Sequence, residues 1–431
     1  MISEPFSRVG APIPVAVGVH FGAAIVALAF LFAAMFAYVS IRFARTLGNG
    51  RRAVTLVVAA QCLVGVILVA SPLLLSSDVY SYVLYGRMWG ILGMNPYHPQ
   101  IVNPHGDALT HTCLNFVANP PFADPYGPLW TLLAGAIARA EAHASLSVAL
   151  LSQRLIALGS AVALTLGLLR LSFAWSPVRS IRRVALIATH PLLLYESAVG
   201  GHNDTIMMAL AVWAFALCDE FPMLAAVLFA LAVSVKIVAL AVAPFLVIKL
   251  VRGNWKTAIP ASAIAVLIIA SLYVPFLEAR SPIAALPAPR SDIGFSAVGL
   301  LYLIAWTWVP LGSAALSHVL TTAFLVSGVA VVVASIATYA VRRGRAPIWT
   351  AIAATLWSLP AVFTWYVPWL FPAIADKSRW SIYAWWLGLF MFLQYAFVTP
   401  DHRPTLMLIG IAIIIVLAPV LLARRVPLVD A

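Results

Sequence analysis

The chain has 431 residues, of which 63% are hydrophobic and only 9% are charged. Soluble domains are about 45–50% apolar and about 25% charged, so this composition excludes an ordinary soluble globular protein and a disordered chain. The net charge of +12 is explained by basic loops on one side of a membrane. No interleaved basic and aromatic surface of the kind that binds nucleic acid is evident.

Apolar runs separated by basic residues predict an all-α polytopic membrane protein with about 11–13 transmembrane helices. The first run is too long for the core of a cleaved signal peptide, so we expect a retained helix there. The expected spans cover residues 15–41, 53–75, 146–173, 184–199, 203–218, 222–235, 237–250, 257–277, 315–341, 346–363, 365–375, 381–399 and 404–423.

The distribution of lysine and arginine predicts the orientation of the chain. Of these 26 residues, 18 fall on one side of the expected spans, which the positive-inside rule places in the cytoplasm. Residues 76–145 are then a large outer loop, which we interpret as the catalytic loop of a single domain covering residues 1–431. Its prolines prevent long helices, but residues 79–92 and 128–139 are expected to form interfacial helices.

Asp78 begins this outer loop, and aromatic residues follow it at i+4, i+7 and i+11: Tyr82, Tyr85 and Trp89. This spacing places a carboxylate and three aromatic rings on one face of a helix. A carboxylate can remove the proton of a sugar hydroxyl, and aromatic rings stack on sugars. A helix cap followed by an interfacial aromatic belt is the alternative interpretation.

A second polar group lies between two short apolar segments, where the sequence reads Gly-Gly-His-Asn-Asp over residues 200–204. Ionisable residues at membrane depth are costly and usually mark function. The helix that follows presents its N-terminus to an anion such as a phosphate. A plain hairpin turn with an Asn or Asp cap is the alternative. The residues expected to bind substrate here are Glu196, His202, Asn203 and Asp204.

Three cations on the outer side are candidates for binding a phosphate, and they are Arg87, Arg154 and Lys236. Lys236 lies between two apolar runs, so it needs a carboxylate partner or an anionic ligand. Snorkelling to the interface is the alternative for such residues. No histidine spacing predicts a metal site, although the outer loop leaves room for a loosely held divalent cation. The three cysteines indicate no disulfide framework.

Four motifs occur in order between Asp78 and Pro372: DVYSYVLYGRMWGILGMNPY, DPYGPLW, GGHNDTIMMAL and TWYVPWLFP. Together they resemble the membrane glycosyltransferases of the GT-C fold. The bacterial polyprenyl-phosphomannose-dependent α-1,6-mannopyranosyltransferases are the most similar group. This resemblance implies a GT-C-like bundle of helices in the bacterial inner membrane, surrounded by membrane lipids, with an active site that faces the periplasm or the exterior.

The resemblance also implies an activity, in which a hexose moves with inversion from a polyprenyl-phosphate donor to a hydroxyl of a lipid, glycolipid or polysaccharide. Mannose is the sugar that it indicates, and glucose, galactose or an arabinose-type sugar remain open. It assigns the role of general base to Asp78 and names no certain cofactor. The substrate-binding residues that it implies are Tyr82, Tyr85, Arg87, Arg154, Glu196, His202, Asn203, Asp204 and Lys236. A multi-pass transporter or flippase of a lipid-linked sugar is the alternative, and it predicts internal repeats that we do not find.

Overall fold

A computed structural model describes residues 19–71, 76, 78–98, 101–104, 106–117, 123–172, 177–277, 296–306, 313–342, 345–359, 361–376 and 380–391. Every regular element in these residues is helical, which confirms the all-α fold class. The α-helices described are α1 (Val19–Thr46), α2 (Arg51–Val69), α3 (Asp78–Gly90), α4 (Ala108–Leu114), α5 (Pro128–Ala140), α6 (Leu146–Ser172), α7 (Pro177–Ala188), α8 (Pro191–Leu194), α9 (Asp204–Leu217), α10 (Pro222–Val235), α11 (Ala243–Tyr273), α12 (Ala297–Trp306), α13 (Ser313–Val341), α14 (Ala346–Ser358), α15 (Pro372–Ala375) and α16 (Trp380–Phe390).

Shorter turns of other helix types connect several of these elements. A π-helical turn covers Tyr195–Val199, and 3-10 segments cover Ile237–Val242, Val274–Phe276 and Thr364–Leu370. The expected interfacial helices at 79–92 and 128–139 correspond to α3 and α5.

Four helical stretches in the described residues are long and apolar enough to cross a membrane: Arg51–Val69, Leu146–Ser172, Ile237–Phe276 and His318–Val341. Many of their large apolar side chains are exposed, as expected for helices that face lipid. These stretches agree with a polytopic membrane protein, and the shorter apolar helices α9 and α10 add to them. The count of 11–13 spans stays a prediction, and the expected span 404–423 lies outside the described residues.

One expected boundary between spans agrees with the structure, and several others differ from it. The two spans predicted at 237–250 and 257–277 are separated in the structure by a break at Asn254, which adopts extended backbone angles (φ −162°, ψ 111°). The side-chain oxygen of Asn254 accepts the Lys256 N–H at 3.0 Å and so begins a new helical segment after the break. Residues 365–375 form a short 3-10 segment and α15 instead of one span, and α12 was not predicted.

The contacts of the chain cluster into two compact units. Within the described residues, the first unit comprises 61–167 and 194–277, and the second comprises 19–60, 168–193 and 296–391. The expectation of a single domain was based on apolar runs alone, and it stays a prediction.

Close helix contacts at small residues organise the first unit. Helix α3 packs on α5 so tightly that a Cβ added to Gly86 would lie 2.5 Å from the carbonyl oxygen of Ala134. Helix α10 packs against α9 and α11 and also contacts α5. The outer-loop helices are therefore fixed to the membrane-type helices of their own unit, which is the arrangement that builds the site described below.

In the second unit, α13 packs along α14, and α1 packs against α7 and α16. His190 is fully buried there, with its ring 4.5 Å from that of Phe371 and 5.2 Å from that of Trp385. Its Nδ1 accepts the Leu192 N–H at 3.1 Å, and Nε2 lies 3.1 Å from the Trp385 carbonyl oxygen. Both ring nitrogens of His190 are thus engaged with backbone groups, and the side chain joins two chain segments.

The predicted orientation can be tested by thiol labelling at two exposed positions. Ile101 is 79% exposed in the outer loop, and Asn49 is exposed beside the basic start of α2. We expect Ile101→Cys to react with a membrane-impermeant maleimide in intact spheroplasts, and Asn49→Cys to react only after permeabilisation. The wild-type chain is the control for its native cysteines, and the reverse labelling pattern would contradict the orientation.

Candidate active site

The carboxylate of Asp78 stands at the first residue of α3 and is 29% exposed. The hydroxyl of Ser76 accepts the Asp78 backbone N–H at 3.3 Å, as a helix cap does. The Asp78 carboxylate is therefore not needed as the cap, which was the alternative to a catalytic role. The N-terminus of a helix also favours a negative charge at this position.

The Gly-Gly-His-Asn-Asp turn is preceded by the π-helical turn Tyr195–Val199. Such an irregularity is frequent at functional sites. Gly201 has a φ of +64°, a conformation that side chains with a Cβ rarely adopt. A Cβ at this glycine would lie 3.3 Å from Cγ of Arg154 and 3.4 Å from Cγ2 of Val79. The turn is thus pressed against the N-terminal end of α3, which brings its polar residues to Asp78.

His202 links two carboxylates that are distant in sequence. Its Nδ1 lies 3.0 Å from Oε2 of Glu196, and its Nε2 lies 3.8 Å from Oδ2 of Asp78. The hydroxyl of Ser76 is 3.3 Å from the same Nε2. His202 and Glu196 are buried, whereas Asp78 is partly open. The histidine is therefore enclosed by acceptor groups on both of its ring nitrogens.

These contacts shift the protonation of the histidine and of Asp78. Burial lowers the pKa of His202, but Glu196, Asp78 and Asp204 outweigh burial, and the pKa is raised above its ordinary value. For Asp78 the loss of water raises the pKa of the carboxyl, and the charges of His202 and Lys236 lower it in part. The two groups are electrostatically coupled, so a change at His202 changes the basicity of Asp78.

Asp204 and Lys236 form the second ion pair of the site. The Lys236 Nζ donates to both carboxylate oxygens of Asp204, at 2.8 and 3.0 Å. Lys236 follows α10 directly in an extended conformation, while Asp204 begins α9. The sequence anticipated a carboxylate partner for this isolated lysine, and Asp204 is that partner.

Tyr82 lies between Tyr126 and the turn at Asn203. Its hydroxyl oxygen accepts the hydroxyl of Tyr126 and the backbone N–H of Asn203. The rings of Tyr82 and Tyr126 meet edge to face with centroids 5.1 Å apart, and the ring of Tyr85 lies 6.4 Å from that of Tyr126. The third predicted aromatic, Trp89, packs on Phe276 at 4.6 Å instead. Tyr82 and Tyr85 thus belong to the site, and Trp89 belongs to the surrounding packing.

The amide of Asn203 is buried, and neither of its polar atoms has a hydrogen-bond partner among the described residues. The side chain does not cap α9, although the residue stands at the cap position. A buried amide without partners is costly, so its retention favours a role in binding a polar ligand. This geometry disagrees with the alternative of a simple Asn-capped turn.

The arginines predicted to bind phosphate are engaged with protein groups. Arg87 is buried and holds both carboxylate oxygens of Asp107 at 2.6 Å, which ties the start of α4 to α3. Arg154 donates to three backbone carbonyls, at 2.8 Å to Ala198, 2.9 Å to Leu68 and 3.0 Å to Ser71. These bonds show that Arg154 holds the turn around residue 200, and the assignment of either arginine to phosphate stays a prediction.

Tyr126 was not among the residues selected from the sequence, because the DPYGPLW motif was interpreted mainly as loop architecture. The buried Asp124 carboxylate fixes this motif: it accepts the Tyr126 N–H at 2.9 Å and the Thr131 hydroxyl at 2.7 Å. Burial raises the pKa of Asp124 to about 7, although both hydrogen bonds lower it. A tyrosine between two turn-forming prolines was the available signal, since such a turn fixes the direction of the ring.

No group of three or more His, Cys, Asp or Glu side chains in the described residues is arranged to hold a metal ion. The side chains of the site instead neutralise one another in pairs. The divalent cation for which the outer loop left room is therefore not supported by a preformed ligand set in this part of the chain.

Comparison with known proteins identifies a family. A family model described as "Alpha-(1->6)-mannopyranosyltransferase, N-terminal domain" matches residues 5–252, more than half of the chain. All the site residues described above, from Ser76 to Lys236, lie within that range. Neither a curated protein nor a solved structure matches the chain.

The raised pKa of Asp124 predicts a pH-dependent effect on stability. Its carboxyl holds a proton in the folded state up to about pH 7 but ionises near 3.8 when exposed, so its contribution to stability is lost as the pH rises between these values. Asparagine at this position cannot ionise. We expect the melting temperature of Asp124→Asn, relative to wild type in detergent, to increase from pH 5 to pH 8. A difference that stays constant with pH would contradict the buried, proton-holding carboxyl.

Proposed function

The chain belongs to the alpha-(1→6)-mannopyranosyltransferase family, and we propose that it transfers mannose from a polyprenyl-phosphate donor to an acceptor hydroxyl on the outer face of the membrane. Family membership and the apolar helices identify a membrane-associated mannosyltransferase. The lipid-linked donor, the side of the membrane and the roles of individual residues are the parts that we propose.

One observation carries the assignment of the general base. Of the three carboxylates in the cluster, Asp78 is 29% exposed, whereas Glu196 and Asp204 are 1% and 3% exposed. An acceptor hydroxyl can approach only a carboxylate that is open to it. Glu196 is directed to His202 and Asp204 to Lys236, so both are occupied with partners inside the cluster. Asp78 is therefore the member of the cluster that is free to take a proton from substrate.

The reaction that fits this site is a single displacement. Asp78 takes the proton of the acceptor hydroxyl while that oxygen attacks the anomeric carbon, and the bond from this carbon to the phosphate oxygen breaks. A phosphate is stable as an anion, so its departure needs no general acid, and one carboxylate suffices where glycosidases use two. Attack opposite to the leaving group inverts the anomeric centre, and a β-linked donor gives an α-mannoside.

The charges of the site suit this displacement. The donor phosphodiester carries one negative charge, and the departing polyprenyl phosphate gains a second. Asp78 loses its negative charge in the same step, because it receives the acceptor proton. The net charge of the site is thus nearly constant during the reaction, which limits the electrostatic cost in surroundings that contain little water.

Lys236 is the residue best placed to bind the donor phosphate. Its side chain is 14% exposed, and its Nζ is held by Asp204 at the edge of the Asp78 cluster, where an anionic ligand can approach it. The N-terminus of α9, next to Asp204, adds a favourable dipole. The unpartnered amide of Asn203 and the rings of Tyr82 and Tyr85 provide hydrogen bonds and apolar contact for a sugar.

The outer location of the reaction is proposed from the distribution of basic residues. The clusters of lysine and arginine fall on the side opposite to the Asp78 loop, and the positive-inside rule places these clusters in the cytoplasm. A lipid-linked donor is consistent with such a site, since nucleotide sugars are cytoplasmic substrates. A polyprenyl chain also keeps its phosphate at the membrane surface, where the Asp78 cluster would meet it.

A transfer assay with purified protein in lipid nanodiscs tests the proposal. Polyprenyl-phosphomannose labelled in the sugar is the donor, and a lipid extract supplies the acceptor. We expect wild type to form a labelled product that an α-mannosidase cleaves, and Asp78→Asn to lower kcat by about 10²–10⁴-fold. The matched control is Asp219→Asn, which removes a carboxylate that is 75% exposed and lies outside the site.

Each possible result of the assay tests a different part of the proposal. Label transfer from GDP-mannose and not from the lipid donor would contradict the proposed donor. Full activity of Asp78→Asn would remove Asp78 as the base. Transport of the lipid-linked sugar across vesicles without any transfer would favour the flippase alternative.

The coupling of His202 to Asp78 predicts a shift in the pH profile. Replacement of His202 by glutamine removes the cation that lowers the pKa of Asp78, so the base stays protonated to a higher pH. We expect the acidic limb of the kcat/KM profile to move upward by about one pH unit. Ser76→Ala, which changes an uncharged neighbour of the same ring nitrogen, should leave the limb in place. An unchanged limb in His202→Gln would contradict the coupling.

A further inference from the structure

The turn formed by residues 124–127 contacts the chain immediately before Lys236. The backbone N–H of Gly127 donates to the carbonyl of Val235 at 2.9 Å, at the end of α10. A Cβ at Gly127 would overlap the carbonyl oxygen of Ser234 and lie 2.6 Å from its carbonyl carbon. Only glycine therefore allows the outer loop to approach this backbone, and the next residue along the chain is Lys236.

A buried polar network makes the turn rigid. Besides the bonds of the Asp124 carboxylate to Tyr126 and Thr131, the hydroxyl of Tyr97 donates to the Tyr126 carbonyl at 2.9 Å. The same hydroxyl lies 3.0 Å from Oγ1 of Thr131. The prolines at positions 125 and 128 restrict the backbone on both sides of Tyr126. The side chain of Tyr126 and the backbone of Gly127 are consequently fixed together.

The turn reaches Lys236 through a side chain as well. The Lys236 Nζ lies 5.8 Å from the ring centroid of Tyr126, within the range of a cation–π contact. The hydroxyl of Tyr126 bonds to that of Tyr82, next to Asp78 and Asp204. The turn thus fixes the backbone before Lys236 and contacts its ammonium group. It also contacts Tyr82, one of the aromatic residues of the site.

We propose that the turn of residues 124–127 is a positioning element that fixes the ammonium group of Lys236 and thereby sets the affinity for the donor phosphate. Asp124 and Gly127 act as positioning residues, since neither is directed at substrate. The inference rests on the proposed function, in which Lys236 binds that phosphate. It gives the outer loop a definite part in donor recognition, separate from the proton transfer at Asp78.

The test compares Gly127→Ala with Gly159→Ala, a matched substitution in α6 where no atom lies within 4 Å of the new methyl group. In the nanodisc assay we expect Gly127→Ala to raise the donor KM about tenfold, the effect of weakening one charged hydrogen bond, and to change kcat at saturating donor less than threefold. Gly159→Ala should match wild type in both. An unchanged donor KM with a lower kcat would overturn the proposal, because a loop with only a structural role reduces the active fraction instead.

Two further variants keep the test valid if Gly127→Ala does not fold. Asp124→Asn retains one carbonyl oxygen for the Tyr126 N–H and offers an N–H to the Thr131 hydroxyl, so we expect it to keep the wild-type donor KM. Asp124→Ala removes both bonds and should raise the donor KM as Gly127→Ala does. Equal KM values for these two variants would contradict the role of the network.

The coupling to Lys236 is measured by combining variants. Lys236→Ala should raise the donor KM by itself, and Gly127→Ala should add little in that background, since the turn acts through the lysine. If the two substitutions instead raise the donor KM by factors that multiply in the double variant, the proposal is overturned.

Binding of polyprenyl phosphate without a sugar, followed by native mass spectrometry, separates this inference from the proposed transfer reaction. Binding that weakens in Gly127→Ala and Lys236→Ala but not in Gly159→Ala supports positioning even if no mannose is transferred. Binding that is equal in all variants excludes it.

Discussion

Mutual neutralisation of opposite charges at one end of a helical unit is the interaction on which this site depends. Five ionisable side chains lie together where a single charge would be costly, and they are Asp78, Glu196, His202, Asp204 and Lys236. The two cations hold two of the three carboxylates in ion pairs. Asp78 is left partly exposed, so the same balance that makes the cluster stable also leaves one base accessible.

Each charged group depends on backbone irregularities that hold it in place. Glu196 lies in a π-helical turn, Lys236 in an extended residue after α10, and Asp78 at the start of α3. Arg154 ties three backbone carbonyls around the glycine turn, and Arg87 ties α4 to α3. These arginines stabilise the frame, and Lys236 is the cation that we propose to bind the donor phosphate. In a protein with 9% charged residues, polar side chains are thus concentrated where they orient one another.

The sequence predicted the helical class and the helices at α3 and α5. These predictions succeeded because apolar periodicity is a local signal. The break at Asn254 was predicted as well, since the polar residues between two apolar runs are a local signal. Tyr126 and Gly127 were not predicted, because their roles depend on a long-range contact with the end of α10. Arg87 and Lys236 are both cations in the first unit, and only the structure shows which one faces Asp107 and which faces Asp204.

Photoaffinity labelling is the most direct test that this cluster binds the lipid-linked sugar. A polyprenyl-phosphate sugar with a diazirine on the sugar ring would be crosslinked to the protein in nanodiscs, and the adducts mapped by peptide mass spectrometry. We expect adducts in peptides that contain residues 78–90, 123–131 or 200–236, and we expect unlabelled polyprenyl-phosphomannose to suppress them. Adducts confined to residues 296–391, or adducts that excess donor does not suppress, would contradict it.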